Sequence, residues 1–82
     1  LSDVEHRIGM TLVRLSEELG KIKNGNVNIH NFPYQQDIAN MAGTSRETVS
    51  RTLSLLEEKG LVTREGRTLT IFDYSAFCRA FA

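Results

Sequence analysis

The stretch that most constrains this chain is Ala42 to Gly60, AGTSRETVSRTLSLLEEKG, where one helical pattern ends and another begins after a very short break. Gly43 interrupts the first pattern. Thr44 or Ser45 can cap the next helix through a side-chain oxygen, with Glu47 placed to complete a capping box from Thr44. From Ser45 to Lys59 the apolar residues Val49, Leu53 and Leu56 follow the i, i+4, i+7 rule of a packed helix face. At about 100° per residue, Arg46, Glu47, Ser50, Arg51 and Ser54 collect on the opposite side. An arginine fork fits the O6 and N7 acceptors of guanine, and a glutamate accepts from cytosine N4. Serines are short enough to let a helix approach a groove floor. The face has the chemistry of a helix that reads base edges.

A charged face on an amphipathic helix is more often simply solvated, and the flanks decide between the two readings. Upstream, Gln35 to Ala42 (QQDIANMA) reads as a short helix with Ile38, Ala39, Met41 and Ala42 apolar, joined to the next helix by a tight turn at Gly43. The small Ala39 lets the two helices cross closely. Downstream, Gly60 stops the helix. Leu61 to Arg64 and Thr68 to Phe72 then read as two β runs joined by Glu65, Gly66 and Arg67. The expected fold is therefore α+β, mainly α with a small antiparallel β hairpin. It is a winged helix-turn-helix with a three-helix core, the wing and a short C-terminal helix. The helix-turn-helix is expected over 34–59 and the wing over 61–72.

With 82 residues, the chain has room for one domain with one modest core. Its ten basic and ten acidic residues cancel, unlike the basic balance of many nucleic-acid binders, so distribution matters more than the sum. Arg46, Arg51, Arg64 and Arg67 fall in the second helix and wing, whereas Asp3, Glu5, Glu17 and Glu18 belong to the first helix. Cys78 is the only cysteine, which excludes an intrachain disulfide, and it reads as a small buried apolar group. His6 and His30 have no partner at metal-ligand spacing. No phosphate loop, nucleophile elbow or catalytic triad signature is present, so neither an enzyme nor a metal or cofactor site is expected. With no signal peptide and no membrane-spanning run, the expected location is the cytoplasm.

Taken in order, Ser2 or Asp3 can cap a first helix to about Gly20, with Val4, Ile8, Leu12, Leu15 and Leu19 as its core stripe. That stripe is too short for a coiled-coil seam. Lys21 to Phe32 (KIKNGNVNIHNF) holds an Asn-Gly pair that admits a hairpin extending the wing's sheet, but a plain polar connector is the preferred reading. Pro33 sets the start of the next helix. Asp73 can cap a terminal segment, Tyr74 to Ala82, whose Phe77 and Phe81 are expected to close the core.

The run from Gln36 to Ala39, through Gly43-Thr44-Ser45-Arg46-Glu47-Thr48-Val49-Ser50-Arg51, to Leu56-Glu57-Glu58-Lys59-Gly60-Leu61-Val62 closely resembles the DNA-binding domain of the Crp/Fnr transcription regulators. Glu47, Ser50 and Arg51 look like the base-reading signature of the Fnr-like branch, and Ser45 to Val49 looks like the Crp branch. The resemblance covers about Asp3 to Phe72. It implies that Arg46, Glu47, Ser50 and Arg51 meet bases in the major groove of double-stranded DNA. It also implies that Tyr34, Gln36, Ser45, Thr48, Gly66 and Arg67 meet the backbone. Glu47 and Arg51, at i and i+4, are expected to pair with each other while addressing one G·C pair. The implied half-site contains T-G-A in an inverted repeat; Arg46 argues for a preceding G and Ser50 for a preceding T, of which T-T-G-A is the choice made here.

The resemblance also implies a longer protein. An amino-terminal sensory domain with an effector of its own, and a dimerisation helix that makes a homodimer, would precede this chain. A hinge would lie at Leu1 and Ser2, and the tip of 21–32 is similar to a surface that touches RNA polymerase in some activators. Three positions depart from the family pattern: Thr52 on the packed side, Tyr34 in place of a smaller hydroxyl residue, and Glu65 at the wing tip beside Arg67. The rival reading is a winged helix used for protein–protein contact, which would place apolar residues on the outer face of the second helix.

Overall fold

A computed structural model describes residues 2–81; Leu1, half of the expected hinge, and Ala82, the end of the expected terminal segment, lie outside them. The elements run α1 (Asp3–Leu19), β1 (Gly20–Lys23), β2 (Asn26–Ile29), α2 (Gln35–Ala42), α3 (Arg46–Glu58), β3 (Val62–Glu65), β4 (Thr68–Ile71) and α4 (Tyr74–Phe81). This is the expected winged helix-turn-helix with a short C-terminal helix.

The polar-connector reading of 21–32 is overturned. Lys21 to Lys23 and Asn26 to Ile29 form a hairpin, with Asn24 at φ 55° and Gly25 at φ 80° supplying the two left-handed residues of its tight turn. The alternation that decided the outcome is in β2: Val27 and Ile29 point into the core while Asn26 and Asn28 do not. β2 then pairs with β4, giving one antiparallel sheet in the order β1-β2-β4-β3. The Thr70 hydroxyl donates to Asn28 Oδ1 at 2.6 Å across that junction. The hairpin thus brings its own buried residues to the wing's sheet.

Ile8, Leu12 and Leu15 of α1 meet Ile38, Ala39 and Ala42 of α2, Val49, Leu53 and Leu56 of α3, and the inner face of the sheet. Ser2 caps α1 with a full capping box to Glu5. Two expected core positions face outward instead. Leu19 is 49% exposed because α1 ends there and only the exposed edge strand β1 follows. Met41 is 44% exposed, since it falls about 110° from the middle of the arc that Ile38, Ala39 and Ala42 bury.

At the other end, Asp73 Oδ1 accepts from the Ala76 amide, and α4 folds back so that Phe77 and Phe81 stack at 4.6 Å inside the core. Gly9 of α1 leaves the space that the Phe81 ring fills. The Phe72 side chain, by contrast, lies past the end of β4 and is partly exposed. Tyr74 rests on α1 with its hydroxyl 3.5 Å from the Val13 carbonyl; burial, reinforced by the neighbouring Cys78, pushes its phenol up to about 12. Cys78 itself is only half-buried.

Candidate nucleic-acid interface

α3 is capped by Ser45, not Thr44. The Ser45 hydroxyl accepts from the Thr48 amide at 3.1 Å, so the expected Thr44 capping box with Glu47 does not form. Val49, Thr52, Leu53 and Leu56 turn inward and settle the helix on its packed side, with the departing residue Thr52 only 3% exposed. Glu47, Ser50, Arg51 and Ser54 are thereby turned away from the core, with Arg46 at the edge of the same arc.

The expected Glu47–Arg51 pair is not formed either. Glu47 Oε2 lies 3.7 Å from Arg46 Nη2, between side chains more than half exposed. Arg51 Nη2 donates instead to Thr48 Oγ1 at 3.2 Å, and that hydroxyl is also 2.9 Å from Ser45 Oγ. Two hydroxyls in series, Ser45 and Thr48, therefore aim the Arg51 guanidinium over nearly two turns, and the exposed glutamate, only loosely paired with Arg46, can accept from another partner. Such an i, i+4 ion pair contributes only about 0.3–0.5 kcal/mol at a surface, so the nearer hydroxyl wins without large cost.

Across a cleft of about 230 Å3, the wing faces the start of α2. Its lining includes Phe32, Tyr34, Leu53, Gly66 and Arg67. Arg67 Nη2 donates to the Phe32 carbonyl at 2.8 Å, and the Phe32 amide donates back to the Arg67 carbonyl at 2.8 Å. The Arg67 guanidinium carbon stands 4.4 Å from the Tyr34 ring centroid, with Nη1 3.4 Å from the Tyr34 hydroxyl. Tyr34 and Arg67, 33 residues apart, thus form one exposed polar corner. Gln36 sits on the first turn of α2 with its amide spanning to Asn40 Oδ1 at 3.1 Å. Gly66 makes the wing turn at φ 60°.

Arg64, grouped by sequence with the basic residues of the interface, is engaged elsewhere. Its Nη2 lies 2.6 Å from Glu57 Oε1, tying β3 to the last turns of α3, and this hydrogen bond holds the Glu57 carboxyl below its ordinary range. Arg7 of α1 was not singled out by any sequence motif. Its Nε donates to the Ala42 carbonyl at 3.0 Å and its Nη2 to the Gly43 carbonyl at 3.3 Å, directly at the turn between α2 and α3. Asp3 at i−4 was the available signal for an ordered Arg7, but only the fold shows that the guanidinium reaches across to α2.

The residues expected to meet bases therefore share one face of α3, and those expected to meet backbone flank it at the start of α2, the cap of α3 and the wing. The outer face of α3 carries no apolar residue of the kind a protein-docking helix would show. Among the described residues, no helix is long and apolar enough to cross a membrane, and no group of three or more histidine, cysteine, aspartate or glutamate residues could hold a metal ion.

A family model described as "Crp-like helix-turn-helix domain" matches residues 6–80. The CRP-like cAMP-activated global transcriptional regulator of Mycobacterium tuberculosis is 30% identical over 78 residues, covering 95% of this chain and 35% of that protein. The cAMP-activated global transcriptional regulator CRP of Pasteurella multocida is 34% identical over 73 residues, covering 85% of this chain and 33% of the relative. Among solved structures, the CO-dependent transcription factor CooA from Carboxydothermus hydrogenoformans in its imidazole-bound form is similar, with a TM-score of 0.82 and 26% identity over 98% of this chain and 37% of that one. Oxidised CprK in complex with o-chlorophenolacetic acid shares the fold, with a TM-score of 0.81 at 20% identity over 93% of this chain and 32% of that one. The chain spans about a third of the length of the curated relatives it matches.

Proposed function

Because this chain belongs to the Crp-like helix-turn-helix family, whose matched relatives are transcription regulators, we propose that it binds double-stranded DNA sequence-specifically as their reader domain. The observation that carries the reading is the outer face of α3. It joins an exposed Glu47 to an Arg51 aimed by Thr48, with no apolar side chain among them. Laid in a major groove by its first turns, α3 brings Arg46, Glu47, Ser50 and Arg51 to base edges. Tyr34, Gln36, Ser45, Thr48, Gly66 and Arg67 then lie toward the phosphates, where they set register without reading sequence.

Glu47 accepting from cytosine and Arg51 donating to guanine specify one G·C pair per half-site. By resemblance to both branches of the family this is the G of a T-G-A core. The full protein is a homodimer through a helix preceding this chain, and its two-fold symmetry demands an inverted repeat. The isolated chain, with one half-site's contacts, is a monomer of weak affinity. The protein acts in the cytoplasm, and the tip of the β1–β2 hairpin is similar to a surface that touches RNA polymerase in some activators; the effector belongs to the preceding domain, and no catalysis is assigned.

Selection of bound sequences from random duplexes by an artificially dimerised form tests this reading. The expected outcome is an inverted repeat containing T-G-A, with affinity falling steeply as salt rises, because arginines that meet phosphates release counterions. Recovery of no common sequence, with binding insensitive to salt, would point to a protein partner instead.

A further inference from the structure

We infer that Arg7 is a positioning residue for the recognition helix: from α1, its guanidinium closes the carboxyl end of α2 and thereby fixes the turn from which α3 departs. A helix end leaves its last carbonyls without intrahelical partners. α2 has no basic residue in its last turn to serve them. Gly43, at φ 69°, turns the chain out of the helix, and the Gly43 and Thr44 amides both return to the Ala39 carbonyl. That leaves the carbonyls from Asn40 to Gly43, and Arg7 takes the two nearest the turn, those of Ala42 and Gly43, at 3.0 and 3.3 Å. The third corner of the fork is held by Asp3, one turn earlier on α1.

The geometry suits arginine specifically. A planar guanidinium can address two carbonyls and a carboxylate at once, whereas an ammonium on a flexible stem cannot hold the same three directions. Arg7 also reaches the turn from 35 residues away, so the contact is a tertiary lock between α1 and the helix-turn-helix. Ser45, the cap of α3, is two residues beyond Gly43. Any slackness at the Ala42 and Gly43 carbonyls is passed through that short turn to the first turn of α3, where Arg46 and Glu47 stand. Recognition groups must be held within about 0.5 Å of their working geometry, so a loosened turn degrades reading before it unfolds the domain.

Two variants and two measurements test this. Arg7→Met removes the donors and keeps an apolar stem; Arg7→Lys keeps the charge and loses the fork. The first measurement needs no DNA: amide hydrogen exchange at Thr44, Thr48 and Val49, which report the turn and the first turn of α3, is compared with exchange at core amides of α1. Both variants are expected to speed exchange at the turn several-fold more than in the core, and Arg7→Lys supplies the result if Arg7→Met does not fold. Equal changes in both regions, or none at the turn, overturn the inference. The second measurement rests on the proposed reading of DNA: the ratio of affinities for a selected duplex and its scrambled counterpart is expected to fall several-fold in Arg7→Lys, with scrambled-duplex affinity unchanged. A wild-type ratio in a folded Arg7→Lys overturns the positioning role. Should the wild-type chain itself treat both duplexes alike, the DNA-reading proposal fails, and the exchange measurement alone decides the role of Arg7.

Discussion

The Arg67 guanidinium lies over the Tyr34 ring at 4.4 Å while its Nη2 holds the Phe32 carbonyl at 2.8 Å. The wing is thereby fastened to the start of α2 by a residue that also presents positive charge outward. A cation over an exposed tyrosine contributes about 0.5–1 kcal/mol. Tyr34→Ala should therefore lower stability by about that amount, and combined with Arg67→Lys, which separately disturbs the bond to the Phe32 carbonyl, the loss should be less than the sum of the two, a coupling that a double-mutant cycle on thermal unfolding detects. Fully additive losses would mean that the ring and the guanidinium act separately.

The start of α3 rests on one hydroxyl. Ser45→Ala should destabilise the domain by about 0.5–2 kcal/mol, the usual cost of a lost N-cap, whereas Thr44→Ala should be nearly neutral. Chemical denaturation of the two single variants separates them. Equal losses would contradict the assignment of Ser45 as the cap.

Gly9 is silent in sequence and critical in packing. A Cβ there would overlap the Phe81 ring, which is buried between α4 and α1. Gly9→Ala should cost about 1–3 kcal/mol, typical of overpacking, and should free the terminal helix first. Faster amide exchange in α4 than in α2 would register this; uniform exchange with unchanged stability would show that the ring can shift cheaply.

Glu57 gives the wing an acid-sensitive anchor. The hydrogen bond from Arg64 lowers its pKa below the 4.5 of a free glutamate, so the tether's contribution is complete above that value and is lost as pH falls through the lower folded value. Wild type should lose more stability than Glu57→Gln on acidification across that window. Identical acid profiles would show that the pair does not couple the wing to α3.

The pattern of success and failure in the sequence has a physical basis. The helix-turn-helix and wing were legible because each depends on local signals: the break at Gly43, the i, i+4, i+7 positions of α3 and the turn at Gly66. The first hairpin is hard to read locally because the worth of Val27 and Ile29 depends on β4, forty or more positions downstream, whose Ile71 and Leu69 they face. Spacing pairs Arg51 with Glu47, but Thr48 stands nearer in the folded helix and is already drawn in by the Ser45 cap. Arg7, Arg64 and Gly9 act through partners on other elements, which no periodicity in a single chain segment reveals.

Base reading by α3 is the central claim, and Arg51→Ala tests it most directly, by titration of a dimerised form against a duplex carrying the T-G-A core and one with that guanine replaced. Loss of a bidentate guanine contact should weaken binding to the core duplex by about 1–3 kcal/mol and barely affect the altered duplex, so that the preference at that position relaxes. Arg67→Ala, by contrast, should weaken both alike and reduce the salt slope by about one. If Arg51→Ala instead lowers affinity equally for both duplexes, Arg51 is a phosphate contact and α3 does not read the core guanine through it.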